Sequence, residues 1–138
     1  MIRDITKRRL ATLAAATVAT AGIALTTAPG AAAFTVKNGY LETYEFGLYY
    51  NSNQAGCVFD IYDNEANFSG DNFKNVGGCA GAGQTTNDNT ASYRSKDDVH
   101  TYYVYTDANY WGTRGSLPPM HVGNASDTFK NEISSAHN

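Results

Sequence analysis

Apolar and polar positions along the chain fall into distinct regimes. Leu10 to Ala28 is an uncharged run dominated by Ala and Thr, preceded by Arg3, Lys7, Arg8 and Arg9 and followed by Ala31-Ala32-Ala33. A basic head, a weakly apolar run and small residues at its end predict a secretory signal peptide over residues 1–33, because so few strongly apolar side chains suit a spanning helix poorly. Beyond it, residues 44–50, 57–62 and 100–105 are short runs rich in aromatic and β-branched residues, each bounded by Asn, Asp, Gly or Ser. These runs predict β-strands. Helical periodicity is missing after Ala33, and Gly77-Gly78, Gly81 and Gly83, in the Asn- and Gly-dense stretch from Asn64 onward, predict long surface loops.

The pattern also repeats. Leu48-Tyr49-Tyr50-Asn51-Ser52-Asn53-Gln54-Ala55-Gly56 lies over Val104-Tyr105-Thr106-Asp107-Ala108-Asn109-Tyr110-Trp111-Gly112 without a gap, 56 positions apart. An apolar residue, Tyr, a polar turn with Asn, and Gly recur in that order. Internal duplication predicts two copies of one supersecondary unit. The expected domain is therefore all-β, made of two similar halves at about residues 44–98 and 99–138.

Composition narrows the function. Every aromatic residue follows Ala33, enough to build one core over residues 34–138 despite few Leu and Ile. The basic residues left there are Lys37, Lys74, Arg94, Lys96, Arg114 and Lys130, half as many as the acidic ones. That balance excludes nucleic acid and an anionic membrane as expected partners. Cys57 and Cys79 are both in the exported part and are expected to form a disulfide; no His stands at a metal-ligand spacing from either, and they are too far apart for a redox pair. His100, His121 and His137 are scattered, with no nucleophile elbow or metal-binding His pair, so an enzyme is not expected.

An aromatic, four residues, an aromatic, one residue and Gly make the hairpin signature of the βγ-crystallin Greek key. Tyr105, Tyr110 and Gly112 meet it in full, whereas Gln54 replaces the second aromatic between Tyr49 and Gly56. Asp88-Asn89-Thr90-Ala91-Ser92-Tyr93 and Lys130-Asn131-Glu132-Ile133-Ser134-Ser135 resemble the family's later stretch of two acid-or-amide positions, two variable ones, Ser or Thr, then Ser. The resemblance implies a Greek-key β-sandwich. The leader, Gly39-Tyr40-Leu41-Glu42, the run from Phe46 to Gln54, and Gly123-Asn124-Ala125-Ser126 are similar to the secreted actinobacterial metallopeptidase inhibitors of βγ-crystallin-like fold. That likeness implies an extracellular, monomeric inhibitor that occupies a peptidase cleft and requires no cofactor.

For such an inhibitor the candidate contact is Cys57-Val58, a tethered loop with an apolar residue after the Cys, and next Leu117 in Ser116-Leu117-Pro118-Pro119-Met120. The competing function is a calcium-binding structural module. The resemblance carries calcium ligands onto Asn89, Thr90 and Ser92, and onto Asn131, Glu132 and Ser134. With Asn at both second positions, weak binding is the most that is expected. A third reading, an envelope- or carbohydrate-binding module, rests on Tyr50, Tyr110 and Trp111.

Overall fold

The structure is a computed structural model and describes residues 35–138, so the signal peptide expected over residues 1–33 lies outside the described residues. The described strands are β1 (Phe46–Tyr49), β2 (Val58–Ile61), β3 (Ser92–Ser95), β4 (Tyr102–Asp107), β5 (Trp111–Leu117), β6 (Val122–Asn124) and β7 (Ser135–His137). They form two antiparallel sheets, ordered β2-β1-β3-β6 and β5-β4-β7. Each sheet borrows from the other half of the chain. β6 follows β5 in sequence yet pairs with β3, while Glu65, from the first half, bridges Ala136 of β7. The result is the expected pair of interlocked Greek keys, except that the fourth strand of the second sheet is reduced to the bridge at Glu65.

Strand alternation builds the core. Phe46 and Leu48 on β1, Phe59 and Ile61 on β2, and Tyr102 and Val104 on β4 point inward and are buried. Phe46 stacks on Tyr102 across the two sheets, with ring centroids 4.6 Å apart. The Tyr102 hydroxyl donates to the Tyr62 carbonyl at 2.7 Å, and burial pushes its pKa well above the ordinary phenol value. One end of this core is closed by Phe68 and Phe73 from the loops between β2 and β3. Cys57 and Cys79 are bonded to each other across that connection. The cross-link stabilises the fold by about 3 kcal/mol on the chain-entropy model.

An N-terminal arm, residues 35–45, covers the outer face of the first sheet. Leu41 packs over Gly47, where a β-carbon would come within 2.9 Å of it. Beneath the arm lie two buried carboxylates. Asp60 accepts from the backbone amides of Gly39 at 2.7 Å and Asn38 at 3.1 Å, and Glu45 accepts from that of Glu42 at 2.7 Å. Burial pushes the pKa of both carboxyls above the usual range. Lys37 ties the arm to Glu65 and Asp71.

Candidate functional site

The repeated segments fold into the same hairpin. Asn53, Gln54 and Gly56 have positive φ after β1, and so do Asn109, Tyr110 and Gly112 after β4. Such angles strain any residue with a β-carbon, so something must hold each tip in place. A serine does so. The Ser92 hydroxyl donates to the Asn51 carbonyl at 2.6 Å and accepts from the Gln54 amide at 2.9 Å. Ser135 does the same in the second copy, donating to the Asp107 carbonyl at 2.7 Å and accepting from the Tyr110 amide at 3.0 Å.

This equivalence of Ser92 and Ser135 resets the alignment of the two later stretches. The second stands as the sequence suggested, from Lys130 to Ser135. The first begins one residue earlier, at Asn87, and ends at Ser92. Backbone bonds confirm the frame, because the Asp88 amide donates to the Ile133 carbonyl at 3.1 Å while the Asn131 amide donates to the Thr90 carbonyl at 2.8 Å. Asp88 and Asn131 also share a positive φ, 55° and 57°. The two stretches therefore lie across a local pseudo-twofold axis. Asp88 corresponds to Asn131, and Ala91 corresponds to Ser134.

At one end of this pair, the Ser134 hydroxyl donates to the Asp88 carboxylate at 2.9 Å, and Asn87 donates to the other carboxylate oxygen at 2.8 Å. At the opposite end Ala91 has no hydroxyl to offer. There Asn51, Asn89, Ala91, Lys130 and Asn131 line a hollow of about 200 Å³. The residues expected from the sequence separate accordingly. Asn89 turns its side-chain amide to Gln84 and the Thr85 carbonyl, the Thr90 hydroxyl is buried without a partner, and Ser92 is committed to its hairpin. Asn131, Glu132 and Ser134 belong to the correctly framed stretch, with Ser134 facing Asp88. Asp88 is the donor that sequence reasoning missed, and matching Ser92 to Ser135 would have found it.

Calcium takes oxygen donors, and carboxylates raise its affinity. The Asp88 end fits that chemistry with a carboxylate and a hydroxyl already in contact. The Asn131 end does not, since it has an amide, a missing hydroxyl and the Lys130 cation. Among the described residues no group of three or more His, Cys, Asp or Glu is placed to hold a metal. One carboxylate with neutral oxygens is a donor set that suits at most weak binding.

The other candidates occupy separate places. Cys57 and Val58 are buried at the start of β2, and Leu117 is buried at the end of β5, so none of the three offers its side chain to a partner. Tyr50 is spent against Phe73, edge-on at 5.7 Å, and Tyr110 against Tyr105 at 5.9 Å. Trp111 alone among the proposed platform residues is strongly exposed, at 72%. The histidines serve packing and hydrogen bonding: His100 pairs with Asp97 at 2.8 Å, and His121 and His137 meet the hydroxyls of Tyr93 and Tyr105.

No family model matches the chain, and no curated protein matches it either. Among solved structures, one reported for the evolution of the eye lens βγ-crystallin domain fold superposes with a TM-score of 0.51 at 20% identity, covering 69% of this chain and 84% of that one. The fold is that of a βγ-crystallin domain. An archaeal βγ-crystallin has a TM-score of 0.49 at 21% identity over 70% of this chain and 99% of its own. The two hairpins stand where the resemblance put them, whereas the serine that closes the first is Ser92, one residue before the position the resemblance assigned.

Proposed function

We propose that the chain is an exported, non-catalytic βγ-crystallin-type module that holds one calcium ion weakly, at the Asp88 end of its paired loops. The observation that carries this reading is the 2.9 Å contact between the Ser134 hydroxyl and the Asp88 carboxylate, donors from different halves of the chain. An ion there would tie the two halves together and stabilise the native state only. With a Kd of roughly 1 mM, about 10 mM calcium adds roughly 1.4 kcal/mol. Thermal melting with and without calcium tests it. The melting temperature should rise in calcium, and Asp88→Asn or Ser134→Ala should remove the rise; an unchanged melting temperature in the parent protein refutes the reading.

A second reading, cleft occupation in a secreted metallopeptidase, is favoured by the rigidity of the disulfide-bridged connection, which lowers the ordering cost of binding. Because Val58 and Leu117 are buried, contact falls to the exposed crest at Asn75, Gly77 and Gly78. Residual activity of a secreted metallopeptidase incubated with the protein decides this, and full activity at excess protein ends it.

A further inference from the structure

Two sheets present four edges, and three of them are blunted. The arm pairs with β2 through the Lys37 amide and the Asp60 carbonyl at 2.9 Å. Glu65 exchanges two backbone bonds with Ala136 on β7, at 2.8 and 2.9 Å. β6 is only three residues long. The fourth edge is β5, seven residues long, mostly exposed and, among the described residues, paired only with β4. In an antiparallel ladder alternate residues turn both backbone groups away from the partner, so roughly three residues of β5 face solvent with free donors and acceptors. Long open edges are usually protected.

Two features beside this edge select an occupant. Arg114, the one charged residue of β5, lies at the strand's midpoint with its guanidinium over the Tyr103 ring at 5.1 Å. On the opposite, inward side, Phe129 packs directly on Gly115, where a β-carbon would come within 3.0 Å of it, and a hollow of about 270 Å³ lined by Val104, Leu117, Phe129 and Ile133 lies beside the strand. We propose that β5 accepts an extended peptide segment as an added antiparallel strand, with an acidic side chain opposite Arg114 and an apolar side chain, opposite Gly115, entering the hollow. Alternation supplies both contacts at once, because neighbouring residues of the added strand point to opposite faces. A second copy of the chain fits less well. Full-length antiparallel self-pairing would set Arg114 against Arg114, and like charges directly opposite repel.

This proposal is independent of the calcium reading. Its probe is the blocked heptapeptide Val-Thr-Leu-Asp-Leu-Thr-Val, titrated into the purified protein and followed by fluorescence of the single tryptophan, Trp111. Saturable binding is expected. Of two peptides N-methylated on one or the other alternate set of amides, one should lose binding and the other keep it. Arg114→Glu should weaken the Asp peptide roughly five- to tenfold and strengthen its Lys counterpart by a similar factor. No binding, equal binding of both methylated peptides, or indifference to the Arg114 charge would overturn the proposal. So would a protein that is dimeric without peptide and becomes monomeric on Ser116→Pro, which would assign the edge to a second copy.

Discussion

The Asp88 end and the Asn131 end of the paired loops share one backbone and differ in chemistry. Both stretches cross through the same reciprocal amide bonds, and both close under a hairpin stitched by a serine. Yet one end joins a carboxylate to a hydroxyl, and the other has an amide, an alanine and a lysine near one hollow. The groups that fix the backbone are main-chain amides and carbonyls and the two hairpin serines, whereas the Asp88 carboxylate and the Ser134 hydroxyl that meet at the site are side chains outside that set. A duplicated fold can therefore keep its geometry at both ends while only one remains fit for a cation.

The largest test of the asymmetry between halves is the disulfide, which staples only the first. Cys57→Ser with Cys79→Ser should cost about 3 kcal/mol by denaturant unfolding, while leaving the second hairpin intact by amide exchange. The hairpin serines come next. Ser92→Ala and Ser135→Ala each leave a strained tip without its two hydrogen bonds and should each cost about 2 kcal/mol. Near-equal losses would support the equivalence of the halves; a loss at only one position would break it.

A smaller effect separates the hairpin tips. Tyr110 packs edge-on against Tyr105, whereas Gln54 instead donates to the Gly123 carbonyl at 3.0 Å. Tyr110→Gln should therefore cost about 1 kcal/mol in a thermal or denaturant melt, with no equivalent Gln present to replace the lost ring contact.

The smallest effect is on pH dependence, and it arises in the arm-covered first sheet. The raised carboxyls of Asp60 and Glu45 bind protons more tightly when folded, so their contribution is full below the ordinary carboxylate range and is lost as pH rises through their folded values. Asp97 has the opposite sign. Burial pushes it up, but the amides of His100 and Val99 and the His100 side chain outweigh that and hold it below its ordinary value. Its contribution is present above that value and is lost on further acidification. Glu45→Gln should flatten the gain in stability as pH falls from neutral toward the ordinary carboxylate range in chemical denaturation, and an unchanged slope would assign that gain elsewhere.

Much of this fold is written locally. Tyr49, Gly56, Tyr105 and Gly112 announced the duplicated hairpins, and the aromatic runs announced β1, β2 and most of β4. β5 was hidden because Trp111-Gly112-Thr113-Arg114-Gly115 alternates weakly and has two glycines, one of which sits beside Phe129 rather than marking a loop. β3, β6 and β7 are short and gain their pairing from distant chain, which no local pattern encodes. The site's frame was misread by one residue for a similar reason. The connection from Gly56 to Ser92 is much longer than that from Gly112 to Ser135, so spacing could not align the stretches, and only the hydrogen bonds of the serines did.

The proposed single-ended cation site is tested most directly by calorimetric titration of calcium into the protein and into its Asp88→Asn variant, with the folding of both checked by circular dichroism. The asymmetry predicts one ion per chain for the parent and none for the variant at the same concentrations. Two ions per chain, no binding, or one ion retained by Asp88→Asn would contradict it.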